Sequence, residues 1–209
     1  MSDACLNSHR LSPALILASQ SEQRLALLRQ LALEPVCLPC DVDEAAKPAE
    51  KATELVLRLA RLKAEACIKT SEYKSMAAGA SSHCVVLAAD TVIEIDGNIL
   101  GKPRNQADAM QMLQSLSARE HFVHSGVCVH STLEHQFQHV LVTTTVRFTS
   151  IDLLTAKRYW QSGEPMGKAG GYAIQGLGAQ FVNHMSGSYS NAVGLPCLLY
   201  TSPSPRDRG

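Results

Sequence analysis

Residues 84–89, Cys-Val-Val-Leu-Ala-Ala, form an unbroken apolar run that stops at Asp90-Thr91. A strand of that composition has no polar face and must be covered on both sides. That demand excludes a sheet with one wet face and directs the chain to an α/β architecture. The chain of 209 residues is long enough to bury such a strand in one domain, with two lobes and without independent halves.

The flanking patterns supply the layers. Residues 15–18 read as a strand, Ser19-Gln20-Ser21 as a turn, and the following stretch as a helix with Leu25, Leu28 and Ala32 on one stripe and Leu27 and Leu31 beside it. Ser19 or Ser21 is its N-cap, and Pro35 prevents its continuation. Residues 36–38 read as a second strand leading to an acidic turn at 41–44. Residues 48–70 read as a long helix with Leu55, Leu59, Leu62 and Ala66 inward and Lys63 at the edge of that stripe. The small polar stretch 71–82 reads as a surface loop. Beyond Asp90, residues 92–95 and 99–100 flank Asp96-Gly97-Asn98 as a hairpin. Asn105 caps a helix over 106–116 with Ala109, Met112, Leu113 and Leu116 inward. Residues 122–130 and 139–148 read as strands, with Val140, Val142, Thr144, Val146 and Phe148 on one face. Ser150 starts a helix through Trp160 that Gly163 closes. Residues 163–178 hold six glycines, a loop that lets backbone approach something closely. Residues 179–185 form a last strand. The order indicates a mixed sheet with an antiparallel section.

Lysine plus arginine equals aspartate plus glutamate at 19 each, which argues against nucleic acid or a membrane surface as partner. The first ten residues carry no apolar core of a secretory signal, and no apolar run is long enough for a bilayer. Seven scattered cysteines fit reduced thiols in the cytoplasm. Cys37 and Cys40 form a lone C-x-x-C without a second pair, read as small apolar residues near a strand end. His121, His124, His130, His135 and His139 lack a repeated ligand spacing and read as exposed strand or loop histidines.

Asp90 follows the buried strand directly. It reads either as the start of a turn or as a rigid carboxylate that binds Mg²⁺ or activates water where ligands collect in open α/β sheets. Glu44 reads as a solvated acid or a second carboxylate. Arg24 lies in the first turn of a helix beside Ser21, where backbone N–H groups attract anions. Lys63 and Lys102 are two further cations, Lys102 in the stiff Gly101-Lys102-Pro103 loop. Neither a Walker A motif nor G-x-G-x-x-G is present.

Taken together, Leu17-Ala-Ser-Gln-Ser-Glu-Gln-Arg24, Asp41-Val-Asp-Glu44, Arg58-Leu-Ala-Arg-Leu-Lys-Ala64, Ala88-Ala-Asp-Thr91, Gly101-Lys-Pro103, Ala169-Gly-Gly-Tyr-Ala-Ile-Gln-Gly176, Gly187-Ser-Tyr-Ser-Asn191 and Val193-Gly-Leu-Pro196 resemble the Maf family of nucleotide pyrophosphatases. The blocks run in family order across residues 15–196. The resemblance implies a Maf/ITPase-like α/β fold, a mixed central sheet with flanking helices and two lobes around a cleft, as a cytoplasmic homodimer. It implies hydrolysis of nucleoside triphosphates between the α- and β-phosphates with a divalent cation, Mg²⁺ or Mn²⁺. Asp90 would be the general base and, with Glu44, hold the metal. Ser21, Arg24, Lys63 and Lys102 would bind phosphates. Thr91 and Gln175 match the type acting on dTTP and UTP. The type acting on 7-methyl-GTP has Asp-Gln and a glutamate at those places, and a nucleotide-binding regulator of septum formation is the non-enzymatic alternative.

Two departures stand out. Gln23 occupies a position where the dTTP/UTP type has arginine, and Glu22 replaces a proline. Residues 14–196 make up the expected domain, preceded by a flexible tail over 1–13. Residues 197–209 have no helical period and look like an artefact replacing the family's final helix.

Overall fold

The computed structural model describes residues 13–79 and 83–197. The expected terminal tails fall outside these residues except for Pro13 and Cys197. In order, the elements are β1 (Ala14–Leu17), α1 (Glu22–Gln30), β2 (Val36–Cys37), α2 (Ala52–Cys67), α3 (Ser71–Ala77), β3 (Cys84–Ile95), β4 (Asn98–Leu100), α4 (Gln106–Leu116), β5 (Glu120–Ser131), β6 (Phe137–Phe148), α5 (Leu153–Gln161), β7 (Val182–Ser186) and α6 (Tyr189–Val193), with short 3-10 turns at Ala169–Gly171 and Leu177–Phe181.

The seven-stranded sheet has the order β2-β1-β3-β5-β6-β7, with β4 attached to β3. The β1–β2 and β1–β3 pairs are parallel, and the remainder are antiparallel. The mixed α/β fold read from the sequence is the one observed.

β3 differs from its expected form. The apolar run does not end at Asp90; a single strand of 12 residues continues to Ile95. What ends is its neighbour. β1 pairs with β3 only over Cys84–Leu87, and β4 pairs with the same edge only over Ile93–Ile95. The intervening stretch, centred on Asp90 and Thr91, keeps its partner β5 on the other edge, where Asp90 faces Gly126. The site is therefore a gap in the sheet, the place where open α/β sheets gather ligands.

Alternation along β3 sorts the layers. Val86 and Ala88 pack with Ile16, Ala60, Ala64 and Cys67 under α2. Leu87 and Ala89 pack with Leu17, Leu27, Leu28 and Leu195 under α1. Past the gap, Ile93 and Ile95 join a second lobe with Leu113, Leu116, Phe148, Tyr159, Tyr172 and Phe181. The cleft lies between.

The α2 stripe is rotated from the expected one. Leu55, Val56, Leu59, Ala60, Lys63 and Ala64 are buried, while Leu62 and Ala66 are only partly so. Lys63 thus stands within the buried face, in line with Leu55 and Leu59 at i, i+4, i+8. Each fully buried aliphatic side chain contributes about 1.5–3 kcal/mol, enough to anchor a helix carrying an inward ammonium. Gly126 sets how closely α2 can lie: a Cβ there would stand 2.3 Å from the carbonyl oxygen of Val56. A glycine inside a strand pattern is the readable sign of such an approach.

Several smaller expectations change. Residues 71–77 form a helix, capped where the Thr70 hydroxyl accepts from the Tyr73 N–H (3.2 Å) and pinned by buried Tyr73. Leu31 and Ala32 lie outside α1, and Ala32 turns at φ 57°. Asp152, and not Ser150, caps α5, accepting from the Thr155 N–H at 2.7 Å. A 3-10 turn takes the first residues of the expected last strand. On β6, Thr144, Val146 and Phe148 are buried but Val140 is exposed, because β7 and α6 cover only one end. His121, His124 and His130 are buried rather than exposed, since β5 is an interior strand covered on both faces: His121 packs against Phe148 and Tyr172, and His130 against Tyr73 and Phe137. Among the described residues, no helix is long and apolar enough to cross a membrane.

Candidate active site

A cleft of about 840 Å³ opens at the gap in the sheet. Ser21, Gln23, Arg24, Glu44, Lys63, Asp90, Thr91, Lys102 and Gln175 all line it. These nine candidate site residues reach the same cavity, although they come from α1, α2, β3 and the loops between elements.

At its centre is an ion-pair chain. Lys63 Nζ lies 2.6 Å from Asp90 Oδ1 and 2.6 Å from Glu44 Oε1. Lys102 Nζ stands 3.7 Å from Glu44 Oε2. Removing an ammonium from water costs several kcal/mol, which is recovered only with well-placed anions; Lys63, 9% exposed, has two. Burial pushes the Glu44 carboxyl up, but Lys63, Lys102 and Arg24 outweigh burial and hold it below the usual range. Arg58 fixes the loop that delivers Glu44. Its guanidinium donates to both oxygens of Glu50 (2.6 and 2.8 Å) and to the carbonyl of Ala45 (2.9 Å), tying the loop to α2.

Arg24 forms the second cationic wall. Ser21 caps α1, its hydroxyl accepting from the Arg24 N–H at 3.4 Å. The buried guanidinium donates to the carbonyl of Gly194 (2.9 Å), Ser19 Oγ (3.1 Å) and Thr91 Oγ1 (3.2 Å). Burial lowers its pKa, opposed by Asp90 and Glu44. Gly194 stands at φ 131°, a conformation suited to glycine, and so presents its carbonyl to Arg24. Asn191 seats the short helix before it, donating to the Val123 carbonyl (3.1 Å) and Thr144 Oγ1 (2.9 Å).

The opposite wall is the glycine loop. The Gly170 N–H donates to the Gly101 carbonyl at 2.9 Å, joining this loop to the one carrying Lys102. Glu164 closes it from behind, accepting from Tyr159 Oη (2.7 Å) and the N–H groups of Leu177 (2.8 Å) and Gly178 (2.9 Å).

The family model for Maf-like proteins matches residues 14–202. The chain belongs to the Maf-like family. Its relatives include the dTTP/UTP pyrophosphatase of Pseudoalteromonas atlantica, 43% identical over 182 residues that cover 87% of this chain and 91% of that one. The dTTP/UTP pyrophosphatase of Bradyrhizobium diazoefficiens is 43% identical over 191 residues, 91% and 89% of the two chains. That of Bordetella parapertussis is 42% identical over 218 residues, 100% and 98%.

In this Maf-like chain the structure adds residues that sequence reasoning passed over. Ser125 Oγ lies 2.7 Å from Thr91 Oγ1, and the Gly194 carbonyl lies 3.3 Å from the same oxygen. The Thr91 hydroxyl is thus engaged by Arg24, Ser125 and Gly194 and sets the guanidinium's position. Lys168, from the glycine loop, also lines the cleft. None of these pairings has a short-range sequence signal; the Arg24–Gly194 bond joins residues 170 apart.

Proposed function

We propose that the chain hydrolyses nucleoside triphosphates, dTTP and UTP foremost, to the monophosphate and pyrophosphate, acting in the cytoplasm as a homodimer. The observation that carries this reading is the Lys63 ammonium 2.6 Å from both Asp90 and Glu44, in a cleft that Arg24 and Lys102 also face. Cleavage of a triphosphate keeps negative charge on phosphate oxygens, and positioned cations stabilise it without reorganising. Arg24, Lys63 and Lys102 hold the polyphosphate from different sides, and the capped end of α1 at Ser21 adds its dipole. Asp90, fixed by its strand and by Lys63, takes a proton from the attacking water. The water oxygen bonds to the α-phosphorus, and the bridging oxygen leaves with pyrophosphate.

A divalent cation, Mg²⁺ or Mn²⁺, fits the donors present. Glu44 and Asp90 offer hard carboxylate oxygens toward one position, now bridged by Lys63 Nζ. Mg²⁺ in phosphate enzymes needs only one or two carboxylates beside substrate oxygens. Glu44 and Asp90 would hold it, and when bound it supplies charge neutralisation at the phosphates. Gln175, with donor and acceptor on one amide, is suited to the polar edge of thymine or uracil.

A panel of dTTP, UTP, dATP and 7-methyl-GTP with Mg²⁺ or Mn²⁺, scored for pyrophosphate release, tests the proposal. Release from dTTP and UTP is expected to dominate. A preference for 7-methyl-GTP overturns the substrate choice. Binding without release from any of the four leaves the regulator reading in its place.

A further inference from the structure

Residues 163–178 hold six glycines, and backbone of that composition does not keep a fixed path unaided. Gln175 is an exposed residue of this stretch and lines the cleft. Its position depends on what holds the loop from behind. Tyr159, in the last turn of α5, and Glu164, just after that helix, do so. Neither is among the described residues that line the cleft.

The Tyr159 ring is buried, edge-on to Phe181 at 5.1 Å. Its hydroxyl accepts from the Ala173 N–H (3.1 Å) and donates to Glu164 Oε1 (2.7 Å). Glu164 in turn accepts from the Gly178 N–H at Oε1 (2.9 Å) and from the Leu177 N–H at Oε2 (2.8 Å). Between these points the chain makes one tight turn, closed by the Gly176 N–H donating to the Ala173 carbonyl (3.1 Å), with Gln175 at its third position. One foot of the turn is held by the hydroxyl and the other by the carboxylate, and the two holders are bonded to each other. Burial pushes the Glu164 carboxyl up, but Tyr159, the two N–H groups and Lys168 outweigh burial and keep it ionised. Burial and Glu164 push the Tyr159 hydroxyl up, so it keeps its proton. Two glycines are shaped to the clamp. A Cβ on Gly176 would strike the Glu164 carboxylate, and one on Gly178 would stand 2.7 Å from the Ala173 carbonyl oxygen and 2.8 Å from Tyr159 Oη.

We propose that Tyr159 and Glu164 are positioning residues for the hydrolysis: a bonded pair behind the glycine loop that grips both feet of the 173–178 turn and so sets where Gln175 meets the substrate. This rests on the proposed function, in which Gln175 meets the base. A contact group works only when the residues behind it fix its geometry. The phosphate-holding cations Arg24 and Lys63 are carried by α1 and α2 and do not depend on this turn. The clamp therefore acts on binding of the whole nucleotide and leaves the grip on the polyphosphate alone.

The test is a double-mutant cycle in steady-state kinetics on dTTP, with competitive inhibition by inorganic tripolyphosphate and melting temperature measured in parallel. Tripolyphosphate has the anionic chain and no base. Tyr159→Phe keeps the packed ring and removes both bonds of the hydroxyl. KM for dTTP is expected to rise by about fivefold, the effect of a lost hydrogen bond. The loss falls on KM more than on kcat, and the tripolyphosphate inhibition constant stays within about twofold. Glu164→Ala has the larger effect, and Glu164→Gln, which keeps one acceptor oxygen, recovers part of it. In a Gln175→Ala background the same substitutions raise KM by less than about twofold further, because the group they position is gone. Should Glu164→Ala fail to fold, Tyr159→Phe and Glu164→Gln complete the cycle. An equal rise in both backgrounds overturns the proposal, as does an equal loss of tripolyphosphate affinity or an unchanged KM in Gln175→Ala. If the wild type releases pyrophosphate from no triphosphate, the proposed function fails and the positioning role fails with it. If the wild type is active and the Tyr159 and Glu164 variants match it, the positioning role alone fails.

Discussion

The two walls of the cleft are built on opposite terms. The sheet wall presents Asp90 at 8%, Lys63 at 9% and Arg24 at 9% exposure, each already bonded to fixed partners. The loop wall presents Glu44 and Lys102 with side chains 48% and 64% exposed, joined across 3.7 Å. Buried, hydrogen-bonded charges cost much to misplace, whereas exposed pairs contribute about 0–1 kcal/mol. The sheet wall is therefore the more firmly held of the two, and the loop wall the less. The aromatic lobe behind the glycine loop adds a third environment, in which buried His121 contacts the Tyr172 hydroxyl at 2.8 Å and the Phe148 ring.

If the sheet wall is the preorganised one, its central acid should carry the largest effect. Asp90→Asn keeps the shape and removes the proton acceptor, and kcat is expected to fall by roughly 10²–10⁴-fold. Equilibrium binding of dTTP, followed by calorimetry, should largely persist. Activity near that of wild type would erase the distinction between the walls.

The aromatic lobe gives the next largest effect, on stability. Burial pulls the His121 pKa down to about 4 from an ordinary 6.5. The unfolded chain then binds more protons than the folded one between those values, so stability rises with pH through the window. It is complete above pH 6.5 and declines as the medium is acidified toward pH 4, by about 3 kcal/mol from this group. Melting temperature against pH measures the slope, and His121→Gln should flatten it.

Gly126→Ala sharpens the comparison from the side of packing. The added methyl meets the Val56 backbone, which has no flexible end to yield, so α2 must lift. A loss of about 1–3 kcal/mol in chemical unfolding is expected. Because α2 carries Lys63, activity should fall beyond what stability explains. A variant with full activity would show that Lys63 does not depend on the seating of α2.

The smallest effect belongs to the loop wall. Lys102→Ala removes an exposed cation, and KM for dTTP is expected to rise by about fivefold with little change in melting temperature, in keeping with about 1 kcal/mol for an exposed charge. A larger loss than that of Asp90→Asn would reverse the roles assigned to the two walls.

Part of the local chemistry was legible in the sequence. The Ser21 and Asn105 caps, the Asp96-Gly97 turn with both residues at positive φ, and the doubly covered apolar run each follow from a few neighbouring residues. The nine site residues named with the combined blocks are all among those that line the cleft. Tertiary structure decided the rest. Periodicity cannot report where a neighbouring strand stops, so the sequence placed Asp90 at a strand end when it lies beside a gap left by β1 and β4. Nor can it report that an ammonium is affordable inside a helix's buried face, because two carboxylates from other segments meet it there. The buried histidines of β5 and the engaged Thr91 hydroxyl have the same cause: their surroundings are residues distant in the chain. Backbone preference and apolar pattern act over a few residues and can be read along the sequence. Desolvation and ion pairing act through space, and only the folded chain brings their partners together.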